Sequence, residues 1–197
     1  MINQRYFLNK SFRNLYGQQV VDFCWEETTP KGESTFIYPD GTKYRGLFQA
    51  GYFHGKGTIT WPDGSSYEGQ WMNNLPHGTG KMVLHDGHIY DGSWNNGSAE
   101  GKGKEMCPGG GQYLGQWKDG LKNGHGEMIY ADGKKYIGEW KNDRCEGRGV
   151  LFLSDGSKYE GQWKEDVMVG QGLLTSSDGK KYKGEWKGDR FQISKII

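Results

Sequence analysis

A constant interval of 23 residues separates seven tyrosines, and this register constrains the fold more than any other feature of the sequence. Stretches such as DGSSYEGQW (63–71), DGHIYDGSW (86–94) and DGKKYIGEW (132–140) repeat one nine-residue pattern. Repeats of about 20–50 residues are typical of solenoids and other arrays, whose units bury a core only by stacking on their neighbours. The seven are Tyr44, Tyr67, Tyr90, Tyr113, Tyr136, Tyr159 and Tyr182.

Each unit combines a turn, a strand and a short apolar run. An Asp-Gly pair comes first, and between two short runs it predicts a hairpin with a type I′ turn. The fourth unit departs from this, with Gly109-Gly110 in the turn position. Next comes Tyr-x-Gly-x-Trp, in which alternation puts Tyr, Gly and Trp on one face of a strand and mainly polar residues on the other. A polar loop, a Gly-x-Gly and a run such as KMVL (81–84) complete the unit.

The composition indicates how such units bury a core. The chain has 34 Gly among 197 residues and few aliphatic residues beside its many aromatic ones. Gly between Tyr and Trp leaves a flat gap that neighbouring rings can cover, so we expect Tyr to stack on Tyr and Trp on Trp across the sheet. The sequence therefore predicts an all-β fold. It is an elongated single-layer antiparallel sheet of consecutive β-hairpins, about 14 strands in all, twisted or curled into a groove.

The repeat register also predicts the domain boundaries. Seven repeats occupy residues 40–190, and a degenerate capping repeat occupies residues 17–39, where Trp25 and Gly32 keep the 23-residue register. Outermost units of an array are expected to be atypical. Residues 1–16 form an N-terminal arm, and residues 191–197 form a C-terminal cap.

Charge, cysteine content and motifs exclude several classes of function. The 25 basic and 24 acidic residues nearly cancel, so the sequence lacks the basic footprint of a nucleic-acid-binding protein. Its three cysteines are far apart and odd in number, which fits reduced thiols better than disulfides or a zinc cluster. There is no phosphate-binding loop, no His-Glu-x-x-His and no Gly-x-Ser-x-Gly in the sequence. We therefore expect no enzyme, no catalytic residue, no cofactor and no metal site.

Three features resemble chemical motifs but have plainer explanations. His54 and His77 share one slot of the repeat, where loop packing or a hydrogen bond explains them better than a metal. The repeated Asp of each turn is explained by turn chemistry. The glycine-rich CPGGGQ (107–112) fills the turn position of the fourth unit.

The aromatic and apolar positions divide into two predicted groups. The first packs repeat against repeat and comprises Tyr44, Tyr67, Trp71, Tyr90, Trp94, Tyr113, Trp117, Tyr136, Trp140, Tyr159, Trp163, Tyr182 and Trp186. The second closes each unit and leaves apolar surface for a partner, because contiguous exposed apolar surface usually marks interaction. Its members are Ile59, Trp61, Met82, Leu84, Met128, Tyr130, Leu151 and Leu153.

The repeat YEGQW followed by HGTG resembles the MORN (membrane occupation and recognition nexus) family over roughly residues 40–190. The resemblance implies a sheet with one hairpin per repeat and a scaffold or adaptor role. A helix or extended segment of a partner would bind in the groove, in a ciliary, axonemal or cytoskeletal assembly of the cytoplasm. One alternative is a peripheral membrane adaptor for anionic phospholipid, for which Lys134, Lys135 and Lys141 form a local basic cluster. Another is an accessory structural subunit of a mitochondrial complex, because the first 21 residues contain no acidic residue.

The two ends of the chain leave alternatives open. The apolar and basic arm, with Arg5, Lys10 and Arg13, is a segment that docks on a partner or on its own sheet, a membrane-surface helix or a presequence. The C-terminal FQISKII (191–197) caps the last strand edge or joins a second copy in a homodimer.

Overall fold

A computed structural model describes residues 31–187 and 190–197. These residues form 15 strands in one antiparallel sheet, in which each strand lies beside its neighbours in sequence. No helix occurs among the described residues. The first seven strands are β1 (Gly32–Ile37), β2 (Lys43–Gln49), β3 (Tyr52–Thr60), β4 (Ser66–Met72), β5 (Leu75–Val83), β6 (Ile89–Asn95) and β7 (Ser98–Met106). The others are β8 (Gln112–Lys118), β9 (Leu121–Ile129), β10 (Lys135–Lys141), β11 (Arg144–Phe152), β12 (Lys158–Lys164), β13 (Val167–Thr175), β14 (Lys181–Lys187) and β15 (Arg190–Ile196).

The chain divides into two compact units. Of the described residues, unit 1 comprises 31–105 with Lys118–Gly120, and unit 2 comprises Met106–Trp117 with 121–187 and 190–197. In both units, alternation along the strands separates a ring face from an outer face. The ring face carries the Tyr, Gly and Trp of each repeat. The outer face carries the residues between them.

The hairpin turns differ from the predicted arrangement. At Asp40-Gly41 only Gly41 has a positive φ, of 90°, and its N–H donates to the carbonyl of Tyr38 at 2.9 Å. This is a three-residue loop with a type I turn and a left-handed Gly, so the predicted type I′ turn is wrong at Asp-Gly. The type I′ geometry occurs instead where a polar loop was expected, at pairs such as Asn73-Asn74 with φ of 51° and 66°.

The Gly-x-Gly of each repeat lies inside a strand and serves two purposes. Opposite β2, the stretch from Phe53 to Gly57 contains two extra residues, because Gly46 pairs with Gly57 and Phe48 with Phe53. Gly55 in this bulge has φ of 62°, which favours glycine. The second glycine, Gly57, pairs with Gly46 and lies beneath the Tyr44 ring.

The all-β hairpin-repeat sheet is therefore confirmed, with 15 strands against about 14 expected. The order is open, and β1 and β15 end it. The predicted curl into a groove concerns the shape of the whole sheet and stays a prediction. The predicted arm (1–16) and most of the predicted capping repeat lie outside the described residues, although β1 falls within that repeat. The predicted C-terminal cap forms β15, which pairs with β14.

Candidate functional site

The tyrosines of the ring face lie flat over pairs of glycines. The hydroxyl of Tyr67 donates to the carbonyl of Gln70 at 2.9 Å, which holds the ring down on the strand. A Cβ added at Gly80, on the next strand, would lie 2.3 Å from that hydroxyl. The equivalent Cβ at Gly149 would lie 2.4 Å from the hydroxyl of Tyr136. Glycine is therefore required by close approach of the ring. Since the residues described by the structure form no second layer, the ring itself covers this face.

The tryptophan of the Tyr-x-Gly-x-Trp pattern connects two repeats, as Trp94 illustrates. Trp94 meets Tyr90 of its own repeat and Tyr67 of the preceding one edge-to-face, with ring centroids 5.0 and 5.2 Å apart. Its indole Nε1–H donates to the carbonyl of Gly80 at 2.9 Å. The expected stacking of Tyr on Tyr and Trp on Trp is wrong, since the contacts join Tyr to Trp. Of the thirteen predicted packing residues, all are buried except Tyr182 and Trp186, which are half-buried.

Carboxylates and amides at the type I′ turns also connect successive repeats. Asn74 Oδ1 accepts the N–H of Phe53 at 2.7 Å, and Asp143 Oδ1 accepts that of Lys122 at 2.8 Å. Sequence reasoning missed these contacts. The signal that could have found them is the recurrence of Asn or Asp at residues 74, 143 and 166 in the 23-residue register.

The predicted partner-binding residues are not equally accessible. Ile59 and Met82 are buried on the ring face, opposite tyrosines of the neighbouring strands. The other six are half-buried, and they are Trp61, Leu84, Met128, Tyr130, Leu151 and Leu153. Only these six therefore offer surface to a partner.

The one described cysteine within the ring face is chemically quiet. Cys145 is 3% exposed, and burial together with the nearby Asp166 carboxylate raises the pKa of its thiol to about 12. A nucleophilic cysteine requires the opposite shift, toward thiolate at neutral pH. Burial likewise raises the pKa of Tyr67 and Tyr136 above the ordinary tyrosine range. These groups are packed, neutral parts of the ring face.

The Asp of each turn accepts a hydrogen bond from the backbone two residues later. Asp63 Oδ1 accepts the N–H of Ser65 at 2.8 Å, and Asp132 Oδ1 accepts that of Lys134 at 3.1 Å. The hydrogen bond from the Lys134 side chain lowers the pKa of the Asp132 carboxyl, with the backbone N–H of Lys134 adding to the effect. The carboxylates thus act in turn formation.

Histidines and lysines are dispersed along the sheet. His54 and His77 are half-buried within their bulges. Within residues 31–187 and 190–197, no three His, Cys, Asp or Glu side chains are grouped to hold a metal ion. The predicted basic cluster is partly neutralised, because Lys134 pairs with Asp132 at 2.9 Å and Lys135 lies 3.8 Å from Glu127.

The outer faces of the two units have different chemistry. A shallow concavity in unit 1 is lined by the glycine pairs and by charged side chains of both signs, among them Arg45, Lys56, Glu68, Lys81 and Asp91. In unit 2, the corresponding strands present apolar residues, namely Ile129, Ile137, Val150 and Phe152. Sequence reasoning missed this set. The signal was present in the repeat register, because Ile137 occupies the slot of Arg45, Glu68 and Asp91.

The fold places the chain in the class of repeat proteins that are built as one sheet of hairpins held by Tyr–Trp contacts. The family model for the MORN repeat matches seven consecutive segments that together span residues 44–192, so the chain belongs to the MORN repeat family. The segments are 44–66, 67–89, 90–112, 113–135, 136–158, 159–181 and 182–192. No curated protein sequence matches the chain.

Solved structures with a similar fold include three domains of CPAP proteins. The SAS-4 (dCPAP) TCP domain of Drosophila melanogaster, in complex with a proline-rich motif of Ana2 (dSTIL), is 15% identical with a TM-score of 0.49, over 81% of this chain and 88% of that one. The G-box domain of the microcephaly protein CPAP is 17% identical with a TM-score of 0.40, over 83% and 100%. The wild-type TCP10 domain of Danio rerio CPAP is 12% identical with a TM-score of 0.31, over 84% and 89%. All three TM-scores lie below 0.5, and all three identities lie below 20%.

Among the described residues, no helix has the length and apolar character needed to cross a bilayer.

Proposed function

We propose that this protein is a non-enzymatic scaffold or adaptor whose repeat sheet binds a helix or an extended segment of a protein partner. The observation that carries the proposal is the uninterrupted sheet. Every strand from Gly32 to Ile196 belongs to one order, built from one repeated hairpin. Repeat arrays typically bind partners on the surface that their successive units build. Membership of the MORN family supports a scaffold or protein-interaction role in general terms.

The surface proposed for this partner runs along the half-buried residues that close the repeats. In unit 1 it includes Trp61 and Leu84, and in unit 2 it includes Tyr130, Leu151 and Leu153. These side chains precede the Asp-Gly turns, so they recur at the same end of successive hairpins. An apolar stripe with regular spacing suits a helix or an extended segment that supplies apolar side chains at similar intervals.

The proposed setting is a ciliary or cytoskeletal assembly of the cytoplasm, which rests on analogy within the family. A homodimer through β15 belongs to the same proposal. Ile193 and Ile196 of this strand are 54% and 66% exposed, and exposed apolar residues on an end strand favour pairing with another chain.

The test is affinity purification of the tagged full chain from its source cells at moderate salt, with quantitative mass spectrometry. We expect stoichiometric ciliary or cytoskeletal proteins that are lost when Leu84→Glu and Leu153→Glu are introduced together. The matched control is Lys81→Glu, which adds the same side chain on the outer face. Mitochondrial complex subunits would favour the accessory-subunit alternative. Salt-sensitive binding to vesicles of phosphatidylcholine and phosphatidylserine, with no retained protein, would overturn the scaffold and favour the membrane adaptor.

A further inference from the structure

The outer face of unit 2 contains an apolar cluster of three exposed side chains and the half-buried Val150, here called the outer patch: Ile129, Ile137, Val150 and Phe152. Ile137 lies directly opposite Val150 across β10 and β11. Ile129 and Phe152 both lie opposite Lys135, one on each side of β10. Ile129, Ile137 and Phe152 are between 36% and 39% exposed. Ile137 and Val150 are thus direct neighbours, and Lys135 lies between Ile129 and Phe152, so the four apolar side chains occupy one area of the outer face across β9, β10 and β11.

The repeat architecture does not require apolar residues in these positions. In unit 1, the slot of Ile137 holds Arg45, Glu68 and Asp91, and the slot of Val150 holds Thr58 and Lys81. A smaller apolar pair, Val83 opposite Ile89, occurs in the neighbouring row of unit 1. Since charged residues satisfy the same backbone geometry, the fold alone does not explain the outer patch. Contiguous apolar surface of this kind usually marks a binding site.

Carboxylates surround the Ile137–Val150 pair on three sides. Glu127 lies opposite Ile137 on β9, Glu160 lies opposite Val150 on β12, and Glu139 follows two residues after Ile137 on the same face. Glu139 Oε1 accepts the backbone N–H of Arg148 at 2.9 Å. Each carboxylate has capacity for further hydrogen bonds through its second oxygen.

The two lysines beside the outer patch already contact its side chains or the carboxylates around it. Lys135 Nζ lies 5.1 Å from the centroid of the Phe152 ring and 3.8 Å from Glu127 Oε1, and Lys158 pairs with Glu160. Exposed ion pairs of this type contribute little to stability, so a cation from a partner can compete for these carboxylates. The patch thus combines an apolar centre with a border of three carboxylates and three cations, Lys135, Arg148 and Lys158.

We infer that the outer patch binds a protein segment that carries two or more adjacent apolar side chains flanked by Lys or Arg. The apolar side chains would cover Ile137, Val150 and Phe152, and the cations would contact Glu127, Glu139 and Glu160. This site lies on the face opposite the stripe proposed above. It rests on the proposed function only in that both act by binding protein, and it would allow one chain to hold two partners.

The test selects random 16-residue peptides, displayed on phage, on the full chain. We expect selected peptides with adjacent apolar residues flanked by Lys or Arg, which bind Ile137→Glu at least tenfold more weakly than the parent chain. Glu68 and Glu160 occupy the slot of Ile137 in other repeats, so Ile137→Glu should fold. Thr58→Glu, in the Val150 slot of unit 1, is the matched control and should bind the peptides unchanged. Glu160→Lys should also weaken binding, with the larger effect at low salt.

Several outcomes would overturn the inference. Failure to select any peptide, or equal binding to Ile137→Glu and the parent chain, would remove the outer patch as a peptide site. Peptides lost on Leu153→Glu but retained on Ile137→Glu would leave the proposed scaffold standing and remove this second surface. Binding of phosphatidylserine vesicles that Ile137→Glu abolishes would assign the patch to lipid. Displacement of the selected peptides by a synthetic peptide of residues 1–16 would assign it to the N-terminal arm.

Discussion

The ring faces of unit 1 and unit 2 are built alike, whereas their outer faces differ. Tyr67 and Trp71 in unit 1 make edge-to-face contact at 5.0 Å, and Tyr159 and Trp163 in unit 2 do so at 5.8 Å. On the outer face, by contrast, the slot that holds Glu68 in unit 1 holds Ile137 in unit 2. The ring face is fixed by close approach between rings and glycines. The outer face has no such constraint, so the choice of its side chains depends on whether they face solvent or a partner.

Removing one tryptophan from each unit should give the largest effect and the same effect in both. Trp71→Ala and Trp163→Ala each delete a buried indole that meets two tyrosines and donates to a glycine carbonyl, at 3.0 Å in one case and 3.3 Å in the other. Loss of a buried Trp typically costs about 3–5 kcal/mol. Urea unfolding of the full chain, followed by circular dichroism, measures the change. A difference of more than about 2 kcal/mol between the variants would mean that the ring faces are not equivalent.

Adding a single methyl group beneath a tyrosine ring should give the next largest effect. Gly80→Ala and Gly149→Ala place a Cβ within 2.4 Å of the Tyr67 and Tyr136 hydroxyls. The ring must lift and lose its hydrogen bond, and such overpacking costs roughly 1–3 kcal/mol. Gly109→Ala is the control, because no atom lies within 4 Å of the added Cβ. Thermal unfolding that left both Gly80→Ala and Gly149→Ala as stable as this control would contradict the close-approach argument.

Much of this fold could be predicted from the sequence, because the constant 23-residue interval shows which residues occupy equivalent positions in each hairpin. The spacing of Tyr67, Gly69 and Trp71 assigns the ring face by alternation alone. The turn types were harder, since Asp-Gly suits both a two-residue and a three-residue loop, and the choice depends on strand pairing. The ring contacts were also mispredicted, because whether Tyr67 meets a Tyr or a Trp depends on the bulge beside each Gly-x-Gly.

The outer patch could have been predicted from the sequence, but only by comparing the residues that occupy the same position in successive repeats. Alternation predicts mainly polar residues on the outer face, and only the alignment of Ile137 with Arg45 and Glu68 shows that it departs from this pattern. Its contiguity with Phe152 depends on register across β10 and β11, which a single strand does not encode. The repeat period and the alternation along a strand predict which face each residue occupies. A binding surface depends on which of the residues that break the repeat pattern lie next to each other across strands.

Restoring the missing turn carboxylate in the fourth repeat should stabilise the protein. Gly109 occupies the place of Asp132 but does not have a positive φ, and a side chain there meets open space. Gly109→Asp would allow a carboxylate to accept the N–H of Gly111 and would reduce the entropy of the unfolded chain. We expect a gain of roughly 1 kcal/mol in the free energy of unfolding. Asp132→Gly should lose a similar amount, and a Gly109→Asp variant less stable than the parent chain would contradict this account of the turn.

The smallest effect on stability should come from charging the outer face, and it should again be equal in the two units. Ile137→Glu and Thr58→Glu each place a carboxylate in a slot where another repeat already has one, at Glu68 and Glu127 respectively. Surface changes of this kind usually alter stability by no more than about 0.5 kcal/mol. Thermal unfolding should therefore show both variants near the parent chain, even if only Ile137→Glu loses peptide binding. A large loss of stability in Ile137→Glu alone would mean that the apolar residues of unit 2 support the sheet itself. The difference between the two outer faces would then be structural rather than a sign of a partner.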